Sequence, residues 1–190
     1  MNTETIVRNF LIAIVILAVT RYAFMAGLIK TNKYTGDGYS IVYPKGWKVK
    51  NKRDMIKGKE DPDKTSDFVI FESPTIDAKK ERPDATISVY TKRLDGVYWI
   101  EDEFPAIRQN LADSGMKILD GGEIKIEDHI TRWLVFDDAV SDTLTLRFYA
   151  IDMTNRLFQI EYAAISYKFS MYRKEFEAAK ETFDFQAMAF

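Results

Sequence analysis

Between residues 143 and 164 apolar and polar side chains alternate along two successive stretches. In the first, Leu144, Leu146, Phe148 and Ala150 share one face while Thr143, Thr145, Arg147 and Tyr149 take the other, the period of a strand buried on one side. After turn residues Thr154 and Asn155, Phe158, Ile160, Tyr162 and Ala164 repeat the pattern opposite Gln159 and Glu161. From residue 169 the spacing lengthens. Phe169, Tyr172, Phe176, Ala179 and Phe183 step by three and four, and Lys168, Arg173, Lys174, Glu177 and Glu181 lie opposite, which predicts a helix with one apolar stripe. Residues 129–185 therefore read as three strands, one amphipathic helix and a short closing strand. The helix needs a sheet to cover, and the strands supply one.

Upstream the same alternation predicts strands at 39–43, 67–71 and 85–90, with Pro44 and Gly46 stopping the first. A helix is predicted over 103–114. Asp102 is its N-cap, Pro105 sits in its first turn, Phe104, Ile107 and Leu111 share a face, and Gly115 ends it. Asp120-Gly121-Gly122 reads as a hairpin-type turn between short strands at 116–119 and 123–126. Residues 45–64 and 73–84 read as polar loops. The sum is an α+β domain, an antiparallel sheet flanked by helices, with no internal repeat.

The amino-terminal region follows a different rule. Residues 10–19 are unbroken apolar sequence, and after Thr20, Arg21 and Tyr22 the apolar character resumes to Ile29. A helix over residues 9–29 would be about 30 Å long, enough to cross a hydrocarbon core. A cleaved signal peptide is the rival, but cutting after Ala23 or Ala26 places Arg21 or Phe24 where a small residue is required. The expected organisation is a tail at 1–8, a transmembrane anchor at 9–29, a tether at 30–37 and a soluble domain at 38–190. Arg21 would cost about 2–3 kcal/mol near the centre of a span. It either snorkels to the headgroups beside the interfacial rings of Tyr22 and Phe24, or pairs with a group in a neighbouring membrane subunit. Arg8 precedes the span while Lys30 and Lys33 follow it, so the positive-inside rule chooses no orientation.

Composition removes several classes. The formal charge of -2 over 190 residues is not that of a general nucleic-acid binder. Cysteine is absent and His129 is the only histidine, which excludes disulfides, thiolate sites, histidine-pair metal sites and most triads. Glu101, Asp102 and Glu103, and separately Asp137, Asp138 and Asp142, gather carboxylates, but neither group has the spacing of a calcium loop. Helix-start and turn preferences explain both more simply. No catalytic residues, metal ligands or cofactor are expected. A carboxylate enzyme using Asp137 or Glu161 is the least favoured reading. The charge-rich stretch 45–64 is either a solvated loop or a docking surface for headgroups or an acidic partner, with Lys48, Lys50, Lys52, Arg53, Lys57 and Lys59 as its contacts.

One resemblance carries further. Gly38-Tyr39-Ser40-Ile41-Val42-Tyr43-Pro44-Lys45-Gly46-Trp47 resembles the opening of PsbP-family proteins and their bacterial relatives of the DcrB type. The ending is similar too: Leu157-Phe158-Gln159-Ile160-Glu161-Tyr162-Ala163-Ala164, residues 172–176, and Thr182-Phe183-Asp184-Phe185. The resemblance implies an α-β-α sandwich shared with the Ran-binding Mog proteins. It also implies a non-catalytic role as an extrinsic subunit or assembly factor on a membrane complex, which in plants and cyanobacteria is a photosystem. The chain departs from that pattern in its uncleaved span and in having no histidine-bearing metal site to carry over. The expectation is an accessory subunit of a larger integral complex, tethered in the inner membrane with its domain on the periplasmic side. A stand-alone envelope ligand-binding or stress-related domain is the alternative, and an apolar pocket between sheet and helix would favour it.

Overall fold

The computed structural model describes residues 32–56, 63–78 and 81–186. Its centre is a seven-stranded antiparallel sheet in the order β3-β4-β7-β11-β10-β9-β8, formed by β3 (Lys48–Asn51), β4 (Ser66–Glu72), β7 (Ala85–Arg93), β8 (Lys117–Ile126), β9 (His129–Asp138), β10 (Thr143–Ile151) and β11 (Arg156–Ile165). A smaller sheet, β1 (Asn32–Gly36), β2 (Tyr39–Tyr43) and β12 (Asp184–Phe185), runs in the order β1-β2-β12. The two-residue strands β5 (Ile76–Asp77) and β6 (Arg82–Pro83) pair in a hairpin. Helices α1 (Lys52–Met55), α2 (Ile100–Asp113) and α3 (Arg173–Glu181) complete the fold, with a 3-10 helix at Ser166–Tyr172 leading into α3.

Alternation along the central strands sends side chains to two separate cores. On one face Val69, Phe71, Ile87, Val89, Phe148, Ala150, Phe158, Ile160 and Tyr162 meet Tyr39 and Ile41 of β2 and Phe176 and Ala179 of α3. Phe158 sits in the middle of this layer, its ring centroid 6.4 Å from Tyr39, 6.3 Å from Phe183 and 5.0 Å from Phe185. At the end of α3 the Thr182 hydroxyl donates to Ala178 O and accepts from Val42 N, joining the helix to β2. On the other face Leu134, Phe136 and Tyr149 form a second core with Ile100, against which Phe104, Ile107 and Leu111 of α2 pack. Helices thus lie on both faces, as the antiparallel α+β reading requires.

Pairing partners account for the differences from the expected elements. Residues 30–37 are not all tether, because Asn32–Gly36 pairs with β2 from Asn32↔Tyr43 to Gly36↔Tyr39. No hairpin forms at Asp120-Gly121-Gly122. The stretch is the interior of β8, which continues past an irregularity between Ile118 and Asp120 and pairs with β9 until it turns at Glu127 and Asp128. The glycines serve close approach instead: a Cβ on Gly121 would lie 2.7 Å from Leu134 Cδ2, and one on Gly122 would lie 3.1 Å from the Trp133 ring. Helix α2 starts at Ile100, with Trp99 O accepting from Asp102 N and Glu103 N. Asp102 is therefore a first-turn residue and not the cap, and Pro105 falls inside the helix. The acidic triplet occupies the positive end of the helix dipole. The loop 45–64 contains β3 and α1, and the loop 73–84 contains β5 and β6. The first turns of the predicted last helix are the tighter 3-10 form.

The expected anchor at 9–29, with Arg21, Tyr22 and Phe24, lies outside the described residues. Among those described, no helix is long and apolar enough to cross a bilayer.

Candidate docking surfaces

The six basic residues expected to form one docking patch do not act alike. Lys48 and Arg53 are exposed. Lys50 reaches across to β4, its Nζ 2.6 Å from Glu72 Oε1. Lys52 is buried, donating to Ser66 O at 2.7 Å and also to Asp63 O. It fastens α1 to the start of β4 and is not a surface contact. Lys57 and Lys59 lie outside the described residues. A run of charge in sequence therefore splits into exposed, paired and buried members, because the strand alternates and the helix that follows turns its first residue inward.

The carboxylates weighed as candidate chemistry also have structural partners. Glu161 accepts from Arg147 Nε at 2.7 Å. Asp137 accepts from Ser166 Oγ at 3.3 Å. Asp138 accepts from Ser141 Oγ at 2.5 Å and from Val140 N at 3.0 Å, bonds that hold its carboxyl below the usual range. His129 is half-buried, its ring 4.3 Å from that of Phe185. Among the described residues no three His, Cys, Asp or Glu side chains gather closely enough to hold a metal ion. Between the sheet and α3, where a ligand-binding reading would place an apolar pocket, Tyr162 packs on Phe176 at 5.3 Å, and just past the helix Phe183 stacks on Tyr39 of β2 at 5.6 Å.

What periodicity did not disclose is the polarity of the domain along its strands. One end of the sheet carries the β1–β2 turn, where Asp37 pairs with the buried Arg156 at 2.9 Å. Gly38 is required there, since its φ is +82° and a Cβ would fall 2.1 Å from Arg156 Nη1. The same end carries Met153 in the β10–β11 turn and the exposed Val97, Tyr98 and Trp99, tied in by Leu94 N donating to Asn155 O. The opposite end carries Asn32, the β5–β6 hairpin, the turn at 139–142 and the 3-10 helix. Arg82 donates to Ser141 O, Lys168 pairs with Asp84 at 2.8 Å, and Tyr167 donates to Asp77.

A mostly antiparallel sheet has helices on both faces, the small β1-β2-β12 sheet and α3 on one and α2 on the other, and this is a PsbP-like fold. Cyanobacterial PsbP (CyanoP) of Synechocystis sp. PCC 6803 superposes with a TM-score of 0.55 at 14% identity, covering 84% of this chain and 95% of that one. The protein PA94 of Pseudomonas aeruginosa superposes at 0.50 with 12% identity, over 80% of this chain and 94% of that one. The Saccharomyces cerevisiae Ran-binding protein Mog1p gives a TM-score of 0.48 at 9% identity, over 83% and 96% respectively. No family model and no curated protein sequence matches the chain.

Proposed function

We propose that this chain is a membrane-tethered, non-catalytic accessory or assembly subunit, its PsbP-like domain on the periplasmic side of the inner membrane and docked on a larger integral complex, photosynthetic or respiratory. The observation that carries this reading is the short spacing between the apolar run and the fold. Ile29 ends the run, and Asn32 is already the first residue of β1, so an anchored domain would be held hard against whatever surrounds its anchor. The likeness to cyanobacterial PsbP adds support, as does the structural use of Glu161, Asp137 and Asp138. Arg21 then pairs with a membrane neighbour, while Lys48, Lys50 and Arg53 are exposed cations of the docking patch. The ring-filled space beneath α3 counts against the stand-alone ligand-binding alternative.

The test is purification of the full chain from native membranes in mild detergent, followed by identification of what accompanies it. An integral membrane protein in fixed proportion is expected, with its recovery reduced by Arg21→Leu. Recovery of monomer alone would remove the reading.

A further inference from the structure

We infer that the end of the sheet bearing Ile76, Val140, Tyr167 and Met171 rests on the lipid bilayer surface. The inference depends on the reading of 9–29 as a membrane span and adds which part of the domain faces the lipid. These four side chains are large, apolar and outward: Ile76 is 61% exposed, Val140 99%, Tyr167 67% and Met171 71%. They come from three separate elements that the fold binds into one end. Tyr167 donates to Asp77 beside Ile76, and Arg82 of the same hairpin holds Ser141 O beside Val140.

The chain emerges at this end. Asn32 pairs with Tyr43, Pro44 O accepts from Trp47 N, the Trp47 ring meets Tyr172 edge-on at 6.0 Å, and Tyr172 Oη lies 2.5 Å from Thr75 Oγ1, next to Ile76. Three Cα steps separate Ile29 from Asn32, a reach of at most about 11 Å. A domain on so short a lead presents its nearest surface to the headgroups. Exposed apolar residues on that surface partition into the interface, where tyrosine is favoured. Lys33, Lys45 and Lys48 are exposed around this end, as is Glu81 of the hairpin. Of its other carboxylates, Asp77, Asp84, Asp137 and Asp138 accept hydrogen bonds from Tyr167, Lys168, Ser166 and Ser141. The exposed Val97, Trp99 and Met153 lie across the length of β10, nine residues or about 30 Å away, and do not reach the same bilayer.

The natural absence of cysteine makes the test direct. Full-length protein with Val140→Cys, Met171→Cys or Met153→Cys is labelled with an environment-sensitive fluorophore and reconstituted into phosphatidylcholine–phosphatidylglycerol vesicles containing lipid-attached quenchers. Labels at 140 and 171 should be quenched severalfold more than the label at 153 and should emit further to the blue. Equal quenching at all three sites, or stronger quenching at 153, in protein that resists carbonate extraction overturns the assigned face while leaving the anchor intact. Extraction of the protein by carbonate instead removes the anchor reading, and this inference with it.

Discussion

The two faces of the large sheet are built to different standards. The face under β2, β12 and α3 is closed by interlocked aromatic rings, and Tyr39, Phe71, Phe158 and Tyr162 are fully buried there. The opposite face is closed where α2 covers Leu134, Phe136 and Tyr149. Along β4, β7 and β11 that same face leaves Phe68, Ile70, Ser88, Tyr90 and Gln159 half-exposed. Its charges are balanced laterally, Arg147 with Glu161 and Lys50 with Glu72. The contrast teaches that stability resides in the aromatic layer, whereas the half-covered face, like the two sheet ends, has freedom to serve contact.

The largest expected effect is alkaline. Burial raises the phenol pKa of Tyr39, Tyr162, Tyr149 and Tyr34 above the ordinary value, most for Tyr39 and Tyr162 of the closed layer. A raised folded-state value means the neutral phenol is favoured in the fold. Stability is therefore intact below about pH 10, where unfolded tyrosines begin to ionise, and falls as pH rises above it. Circular dichroism and phenolate absorbance followed together should show ionisation of these rings coinciding with unfolding. Tyr162→Phe should move that transition to higher pH, and ionisation of all tyrosines within an intact fold would contradict the closed layer.

Phe158→Ala should cost about 3–5 kcal/mol by denaturant titration, against less than half as much for Ile70→Ala on the half-covered face. Equal losses would erase the distinction between the faces. Lys52→Met keeps the aliphatic stem but strips the bonds to Ser66 O and Asp63 O, an expected loss of about 1–3 kcal/mol with the start of β4 opening first in hydrogen exchange. The smallest effect belongs to Arg147 and Glu161. A double-mutant cycle on this pair should return a coupling of about 1 kcal/mol or less that shrinks with added salt. A coupling several times larger would mean that the half-covered face is as dry as the closed one.

Much of the closed layer was legible along the chain. The alternation at 144–150 and 158–164 and the three-four spacing from Phe169 to Phe183 name most of the residues that meet there, because burial on one face leaves a local period. The docking patch was not legible. Lys48, Lys50, Lys52 and Arg53 are neighbours in sequence, yet only their positions on β3 and α1 decide which meets Glu72, which is buried and which stays exposed. Gly121 and Gly122 misled for a related reason: glycine permits a turn and also permits Trp133 and Leu134 to press against a strand.

By itself, then, the sequence determined most of the central strands, the amphipathic helix and the aromatic layer they close, all consequences of periodicities readable within a few residues, while the resemblance at 38–47 and 157–185 pointed to the PsbP-like fold. Tertiary structure alone decided that Asn32–Gly36 is a strand, that β8 runs unbroken along β9, and that Ile76, Val140, Tyr167 and Met171 share one end. Strand pairing and the alignment of turns join residues far apart in the chain, and no local pattern records such a partner.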